Sequence, residues 1–461
     1  MGKINYQLPI TNYQLPMTIA NLCWNFAQIG LLLFPIMPAL AALPIVAAIL
    51  LILGQQFNTI IRRPLNWGIA IFSLGLVITA TLAFKPSEAF LGLGNFLPFF
   101  LLFVAFSELI QTPFQLRRIA WILVIPSVPI VILGLGQLFL GWSVSGSLAN
   151  ILGSAIAPNG NPPGRMASVF MYANIFAAYL TIAFILSLGL LIEKLIVANR
   201  SSLIANSKEN LQLPITNYPL PITHYQSLFL SIATIGNAIA LILTNSRNGW
   251  GIAALASLAF ALYLGWRWLV TVVAGITGAI LWSAFGPNPI RQWLRAIVPA
   301  FFWARLTDEM FPNRPVALMR VTQWQFVASM IQQRPWTGWG LRNFTPLYEA
   351  KMHLWLGHPH NFFLMLTAET GIPATILFCS LIGWVVAQGV LLLKNWSGEE
   401  RGRLIFFSYL VAFVGCILFN TVDVTLFDLR VNTFGWLLLA AIWGVVNRNR
   451  EKIAEGDRKL R

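Results

Sequence analysis

Three side chains suited to phosphate chemistry fall on what the sequence predicts to be one face of a membrane: Arg247, Arg320 and His360. A guanidinium stays charged and binds a phosphate through two parallel hydrogen bonds. A neutral histidine takes a proton from a hydroxyl group near neutral pH. Together they predict chemistry on an anionic, lipid-linked substrate.

Each arginine also has a structural interpretation. Arg320 can pair with Glu349 or with a lipid headgroup, and Arg247, in a tight turn, can extend to the headgroups. A charge beside a span is costly unless it faces water or a partner. Arg165, in the turn Pro162-Pro163-Gly164-Arg165, is a weaker candidate of the same kind.

The histidines and acids near His360 predict no metal site. His353, His358 and His360 follow Glu349, but their spacing matches no zinc pattern. Glu369 lies nine residues after His360, about 180° around a continuous helix at ~100° per residue. It is expected to face away from His360, and its role stays unassigned.

The composition indicates that these residues are held in place by membrane-spanning helices. The chain has 461 residues, of which 57% are hydrophobic and 10% charged. Soluble domains carry roughly 25% charged residues, and lipid-exposed backbone must satisfy its own hydrogen bonds. The sequence therefore predicts an all-α, polytopic transmembrane bundle. The net charge of +15 is explained by topology rather than by nucleic acid, and the three cysteines form no metal or disulfide pattern.

Apolar runs of about the ~20 residues that cross a bilayer recur along the whole chain and predict about 12 spans. Their expected bounds are 19–36, 38–54, 66–84, 90–110, 119–141, 168–192, 227–245, 249–265, 268–285, 361–390, 404–422 and 431–446.

The distribution of lysine and arginine orients these spans, because short cytoplasmic loops carry the excess. With a cytoplasmic N-terminus, the inside segments hold 18 basic residues and the short outside loops hold 4. Both termini are then cytoplasmic, in the inner membrane of a bacterium. The expected organisation is a low-complexity N-terminus (1–18), nine spans (19–285), a large periplasmic loop (286–360), three spans (361–446) and a basic tail (447–461).

A sequence repeat of period seven occupies residues 5–18, and a relative of it lies at 211–225. Both copies are rich in proline and lack the apolar spacing of a helix. They are interpreted as inserted low-complexity sequence, the second within a cytoplasmic insert at about 195–226.

The long segment 286–360 is expected to contain short helices near the membrane surface. It has a net charge of +5 and six tryptophans, a residue that favours the interface. Residues 316–333 predict an amphipathic helix, with Arg320, Gln323 and Val327 on one face. The turn at Gly338-Trp339-Gly340 ends it.

The motifs around these residues resemble the O-antigen ligase and O-antigen polymerase superfamily over roughly residues 160–380. Ser246-Arg247-Asn248-Gly249 is similar to the family's Ser-Arg-Gly turn, with Asn248 in place of a glycine. Arg320-x3-Trp324 and the following Arg334-Pro335-x2-Gly338-x-Gly340-x3-Phe344 resemble its outer-loop signature. His360-Asn361, nine residues and Gly371 resemble the ligase motif, except that Ala374 fills the last place. Asn174 resembles a recurring upstream asparagine.

The resemblance implies a metal-independent, inverting glycosyltransferase without a cofactor. It would move a glycan from an undecaprenyl diphosphate carrier to an acceptor glycan or glycolipid at the periplasmic face. His360, Arg320 and Arg247 would be catalytic, and Arg165, Asn361, Asn174 and Trp324 would bind substrate.

Two alternatives remain open at this point. A polymerase would use the same donor with another carrier-linked glycan as acceptor. Some superfamily members of this size have been described as inorganic carbon transporters. A transporter is expected to place ionisable residues or broken helices near the bilayer midplane, whereas these candidates lie at a surface.

Overall fold

The computed structural model describes residues 17–147, 149, 153–206, 220–307, 309, 315–425 and 427–460. The described residues are helical except for connecting loops, two short 3-10 turns and an isolated antiparallel bridge between Val144 and Ile156. The predicted all-α bundle is confirmed.

Nineteen α-helices follow one another along the described chain. Their bounds are α1 Met17–Leu33, α2 Pro38–Ile61, α3 Pro64–Thr81, α4 Pro86–Leu93, α5 Leu97–Leu109, α6 Pro113–Val124, α7 Ser127–Phe139, α8 Ala173–Asn206, α9 Leu220–Leu243, α10 Arg247–Tyr263, α11 Arg267–Phe285, α12 Ile290–Ile297, α13 Ala300–Leu306, α14 Arg320–Gln333, α15 Phe344–Met352, α16 Phe362–Thr370, α17 Ile372–Lys394, α18 Glu400–Asn420 and α19 Leu429–Leu460.

Ten helical stretches of the described residues are long and apolar enough to cross a membrane. The α4–α5 and α6–α7 pairs each count as one such stretch. The two other predicted spans correspond to α1 and α10, which have 17 residues each, at the lower end of the ~17–25 that can span. The chain is therefore a multi-pass membrane protein.

Helices α8 and α19 form the centre of the bundle. Most of their apolar windows are buried inside the protein, 83% and 89% respectively, against 11% for α11 at the periphery. A helix that is apolar on every side is suited to such a central position. Helix α5 packs closely on α19 at Gly444, where an added Cβ would lie 2.1 Å from the carbonyl oxygen of Ile110.

The predicted span 361–390 is not one helix, because the chain breaks at Gly371 between α16 and α17. Gly371 has φ +85°, and a Cβ there would lie 2.3 Å from the carbonyl oxygen of Trp336. Glycine adopts this conformation without the steric cost that other residues incur. The break leaves α16 outside the membrane-spanning stretch, which begins at Ile372.

The long segment 286–360 contains α12 to α15, as the sequence predicts. Helices α14 and α15 pack on α16 around a small core of their own, in which Phe326 and Tyr348 meet edge to face at 5.1 Å. Helices α14 and α15 therefore form a folded unit attached to the helix that follows His360.

The repeats are only partly described. Residues 5–16 and 211–219 lie outside the described residues. Residues 220–225 belong to α9, so the second copy enters a helix that its spacing did not predict. The basic tail continues α19 as far as Leu460.

Candidate active site

His360 occupies the connection that leads into α16. Its φ of +52° turns the chain just before Asn361, the N-cap of the helix. The Asn361 side chain accepts a hydrogen bond from the Leu364 amide at 2.9 Å and donates to the Thr421 carbonyl at 2.8 Å. A cap of this kind contributes about 1 kcal/mol. Asn361, predicted to bind substrate, is thus engaged in fixing the position of His360.

His360 is paired with a buried carboxylate. Its Nδ1 lies 3.3 Å from Oδ1 of Asp423, which also accepts a hydrogen bond from the Val424 amide at 2.9 Å. Burial raises the pKa of Asp423, but the hydrogen bonds from His360 and from the Val424 amide oppose it, and the pKa lies below its ordinary value. Because an ionised carboxylate only accepts, Nδ1 carries the hydrogen and Nε2 keeps a lone pair. His360 is therefore arranged as a base.

His358 completes a cluster of three groups whose ligating atoms lie within 4.8 Å of one another. Burial lowers the pKa of His358 to about 4, so its imidazole is neutral at pH 7. Its Nδ1 accepts the backbone amide of His360 at 3.2 Å, which leaves the hydrogen on Nε2, 3.8 Å from Asp423. A ligating histidine needs its lone pair toward the metal and donates from its other nitrogen. His358 has the opposite arrangement, which does not suit a metal ligand.

Arg165 and Asn174 join the same network through Asp423. The amide of Asn174 donates to Oδ2 of Asp423 at 2.7 Å, and its Oδ1 accepts from Arg165. Arg165 also donates to the Thr244 carbonyl at 2.8 Å. One carboxylate thus connects two predicted residues of the 160–174 region with His360.

The loop that carries Arg165 is held by buried polar contacts. Gln137, fully buried, accepts the amides of Ala167 and Ser168 at 3.0 and 2.7 Å. Arg430, also buried, donates to the Val169 carbonyl at 2.8 Å and lies 4.0 Å from the ring of Phe170. These contacts keep Arg165 facing the site.

Arg247 begins α10, directly after its N-cap Ser246. Burial is the main reason that the pKa of Arg165 is lowered, and the charge of nearby Arg247 lowers it further. Arg165 nevertheless keeps its charge, because a guanidinium is not deprotonated in proteins. The Arg247 guanidinium also contacts the carbonyl of Leu306 at 3.5 Å, and it lies half-buried between the bundle and the long segment.

Arg320 begins α14 and is half-buried near His358, whose pKa its charge helps to lower. Trp324, one turn later, donates from its indole nitrogen to the Pro359 carbonyl at 3.0 Å. This bond fixes α14 against the segment 358–360. The predicted site residues Arg320 and Trp324 are therefore neighbours of His360 in the fold.

Glu369, unassigned from sequence, lies at the other end of α16 and is 2% exposed. Its carboxyl accepts the Phe344 amide at 3.2 Å, and burial raises its pKa to about 8. The adjacent turn pairs with this helix end, since Gly340 donates to the Glu369 carbonyl at 2.8 Å. Gly338 has φ +65°, and a Cβ there would lie 2.4 Å from the Glu369 carbonyl carbon. Glu369 thus connects the turn at 338–344 to α16, the helix that follows His360.

Asp423 and His358 are the site residues that the sequence interpretation did not assign. Asp423 falls in the short connection between the predicted spans 404–422 and 431–446. An acid there lies on the same predicted membrane face as His360. That position could have marked Asp423 as a candidate site residue, although it does not show that His360 is its partner.

An apolar cavity lies close to this cluster, since its lining includes Phe362, Asn420 and Thr425, each within three residues of His360 or Asp423. It has a volume of about 300 Å³ and is lined by α16 to α19 together with α8. The lining is mostly apolar and includes seven aromatic side chains: Phe96, Phe362, Phe363, Phe378, Phe413, Phe419 and Trp436. Its polar end includes Asn420 and Thr425, which flank Asp423 in sequence.

Residues 229–379 match the sequence profile of a family described as O-Antigen ligase. A protein of Rickettsia conorii named as a polysaccharide ligase is 26% identical over 151 residues, which cover 31% of this chain and 33% of the relative. A second, from Rickettsia bellii, is 24% identical over 151 residues, covering 31% and 34%. The matched part thus spans about a third of these curated relatives. The predicted resemblance to the O-antigen ligase superfamily is confirmed over this region, which includes Arg247, Arg320 and His360.

Proposed function

Starting from this similarity to O-antigen ligases, we propose that the chain transfers a glycan from an undecaprenyl diphosphate carrier to a sugar hydroxyl. The reaction takes place at the periplasmic face of a bacterial inner membrane. The observation that carries this proposal is the His360–Asp423 pair, set between arginines and an apolar cavity. A base, cations and an apolar cavity are what a glycosylated lipid diphosphate requires.

The arginines supply the diphosphate site. Arg320 lies close enough to His358 to lower its pKa, and Arg247 acts in the same way on Arg165. Arg165 in turn is connected to Asp423 through Asn174. Guanidinium groups bind phosphate oxygens with charge-assisted hydrogen bonds. Their positive charge also stabilises the negative charge that develops as the diphosphate leaves.

The cavity supplies the site for the carrier lipid. Cys379 and Gly383 of α17 line it and are exposed on the bundle surface, so a lipid chain reaches it sideways from the bilayer. Two of its polar lining residues, Asn420 and Thr425, lie within three residues of Asp423 in sequence. A lipid chain in the cavity therefore leads its headgroup toward the arginines.

His360 acts as the general base. Its Nε2 takes the proton of the acceptor hydroxyl as that oxygen forms a bond to the anomeric carbon. The bond from this carbon to the diphosphate oxygen breaks, and its electron pair leaves with the diphosphate. Asp423 stabilises the imidazolium that forms. Displacement from the opposite face inverts the anomeric configuration. The Nε2 atom of His358 carries a hydrogen and has no lone pair to offer a metal. This supports a reaction in which no metal takes part.

Transfer by the purified protein in lipid, from an undecaprenyl diphosphate-linked oligosaccharide, tests this proposal. We expect wild-type transfer in the presence of a chelator, with an inverted linkage by NMR, and loss of transfer in His360→Ala. His353→Ala is the matched control, because His353 is exposed in the same segment. Retention of the anomeric configuration or inactivation by the chelator would contradict the mechanism. Product size distinguishes single ligation from chain growth by a polymerase.

A further inference from the structure

A second polar cluster lies at the far ends of helices that reach the candidate active site. Helix α8 contacts Asp423 through Asn174 near its start, and Glu193 lies roughly 29 Å further along it at ~1.5 Å per residue. Helix α18 ends at Asn420, close to Asp423 in sequence, and begins at Glu400. This length matches the ~30 Å of the hydrocarbon core, so the second cluster lies at the opposite membrane face. The distribution of basic residues predicts that this face is cytoplasmic.

A small cavity lies between α8, α10 and α18 at that face. Its volume is about 40 Å³, close to the ~30 Å³ that one water molecule takes in the liquid. Its polar lining residues are Glu193, Tyr263, Glu400 and Arg401, and the other four are aliphatic. The cavity therefore admits one small polar group, while the rest of any larger ligand lies outside it.

Two buried donors at this cavity have no hydrogen-bond acceptor within the described part of the chain. They are the hydroxyl of Tyr263, which lines the cavity, and Nε of Arg403. The Arg403 guanidinium lies 5.5 Å from the centre of the Tyr263 ring, which also stacks on Phe407 at 4.2 Å. Buried polar groups in proteins are nearly always paired, and a guanidinium only donates. An oxygen acceptor from a bound molecule would satisfy both groups.

Positive charge predominates around these donors. Lys194 and Arg401 lie close enough for the charge of one to act on the other. The buried carboxylate of Glu193 is already neutralised by Arg117 at 2.7 Å. The other lining carboxylate, Glu400, extends into solvent, with 72% of its side chain exposed. The cluster therefore attracts an anion rather than a cation.

An apolar surface adjoins the same cluster. Leu195 of α8 and Leu262 of α10, which precede Ile196 and Tyr263 of the cavity lining, are 48% and 62% exposed. A free phosphate would use only the polar part of this surface. A phospholipid uses both parts, because its acyl chains pack on the leucines while its phosphate reaches the arginines. Basic sites between helices at the cytoplasmic face bind lipid headgroups in this way.

We propose that the ends of α8, α10 and α18 bind the headgroup phosphate of an anionic phospholipid. A phosphate oxygen enters the cavity and accepts hydrogen bonds from the Tyr263 hydroxyl and from Nε of Arg403, and Arg401 balances its charge. The same three helices extend to the candidate active site at their other ends. A bound lipid therefore stabilises that site from the opposite membrane face.

Binding of phosphatidylglycerol with a fluorescent acyl chain to the purified full-length protein in detergent, followed by fluorescence polarisation, tests this site. We expect Arg401→Gln and Arg403→Gln each to weaken binding at least about fivefold, because each removes a charged partner of the phosphate. Tyr263→Phe removes only the hydroxyl and should weaken binding about threefold or more.

Arg62→Gln is the matched control. Arg62 is exposed, and its neighbour Arg63 contacts Glu451 near the far end of α19, which places it at the same membrane face. The substitution removes the same charge outside the cavity, so its Kd should equal that of wild type. Thermal unfolding without added lipid identifies variants that fail to fold. Tyr263→Phe, which keeps the shape of the side chain, then carries the comparison.

Three results would contradict this assignment. Unchanged affinity in all three cavity variants would overturn it, as would equal binding of phosphatidylcholine with the same label. Displacement of the labelled lipid by excess inorganic phosphate would show that the site takes free phosphate, and would overturn the choice of a lipid. The measurement requires no glycan transfer, so its result is independent of the proposed function.

Discussion

At the scale of single residues, Asp423 is the group that orients His360. Its carboxylate accepts from Nδ1 of His360 and from Asn174, while Arg165 lies one bond further along. A carboxylate in this position both selects the tautomer with a free Nε2 and stabilises the imidazolium. Asp423 is thus a positioning residue, because it acts through His360.

We expect Asp423→Asn to lower kcat for glycan transfer by about 100-fold or more. The asparagine amide can present a donor to Nδ1, which favours the tautomer that lacks the basic Nε2. Donor binding should change little, so KM for the donor stays within a few-fold of wild type. A loss confined to KM would show that Asp423 binds substrate instead.

Arg320→Ala should raise the donor KM at least about tenfold, since a guanidinium contact to phosphate is removed. Arg320→Lys should recover only part of this, because an ammonium lacks the two-pronged geometry of arginine. Thermal unfolding of both variants checks that α14 stays in place. Wild-type kinetics in the folded alanine variant would exclude a role in phosphate binding.

The sequence predicted several of these residues but not their connections. His360, Arg165 and Asn174 were identified from motifs and turns, and they do meet in one network. Asp423 joins them, but its partners come from loops up to 249 residues away. No spacing rule relates such positions, because the packing of the bundle decides which loops become neighbours.

At the scale of elements, the break at Gly371 distinguishes the structure from the sequence interpretation. Apolar residues continue across it, so composition alone predicts one span from 361 to 390. The glycine instead lets α16 separate from α17 and pack beneath the 338–344 turn. Helix α16 is thereby held at both ends, by Asn361 near His360 and by Glu369 at the turn.

Glu369 makes the stability of this arrangement depend on pH. Its folded pKa of about 8 lies well above the ~4.3 of an unfolded chain. A carboxyl whose pKa is raised on folding contributes stability below the unfolded pKa, and that contribution is lost as pH rises through the folded value. The thermal stability of wild type should therefore fall between about pH 4.5 and 8.

Glu369→Gln should abolish this fall, because the amide does not ionise. Thermal unfolding followed by tryptophan fluorescence from pH 5 to 9 measures the effect. Glu349→Gln, at an exposed glutamate of the neighbouring helix α15, should keep the wild-type pH dependence. If the Glu369→Gln and wild-type curves run parallel, Glu369 is not the group responsible.

At the scale of the whole molecule, the sequence was most informative. Its apolar content and its recurring apolar runs of ~20 residues predicted a helical membrane bundle with one long loop that contains short helices. Hydropathy, however, does not tell which spans are central. Helices α8 and α19 are nearly enclosed by protein, whereas the equally apolar α11 and α17 face outward. The cavity between α17, α18 and α19 depends on that arrangement, so the sequence alone could not predict it.

The arrangement also separates the enzyme from the transporter hypothesis in chemical terms. The ionisable cluster of His358, His360 and Asp423 lies at the ends of the spans, and the cavity near it is lined mainly by apolar side chains. A path for an anion through the bilayer would need polar groups near the midplane. The geometry favours chemistry on a lipid headgroup at one surface.

The most direct test is glycan transfer by wild type and His360→Ala, each purified and placed in vesicles with an undecaprenyl diphosphate-linked donor and a sugar acceptor. Bicarbonate uptake is measured in the same vesicles. We expect wild type to form product, His360→Ala to retain donor binding but lose transfer, and neither protein to take up bicarbonate. Equal transfer by both proteins would contradict the role of His360. Bicarbonate uptake without transfer would contradict the proposed function itself.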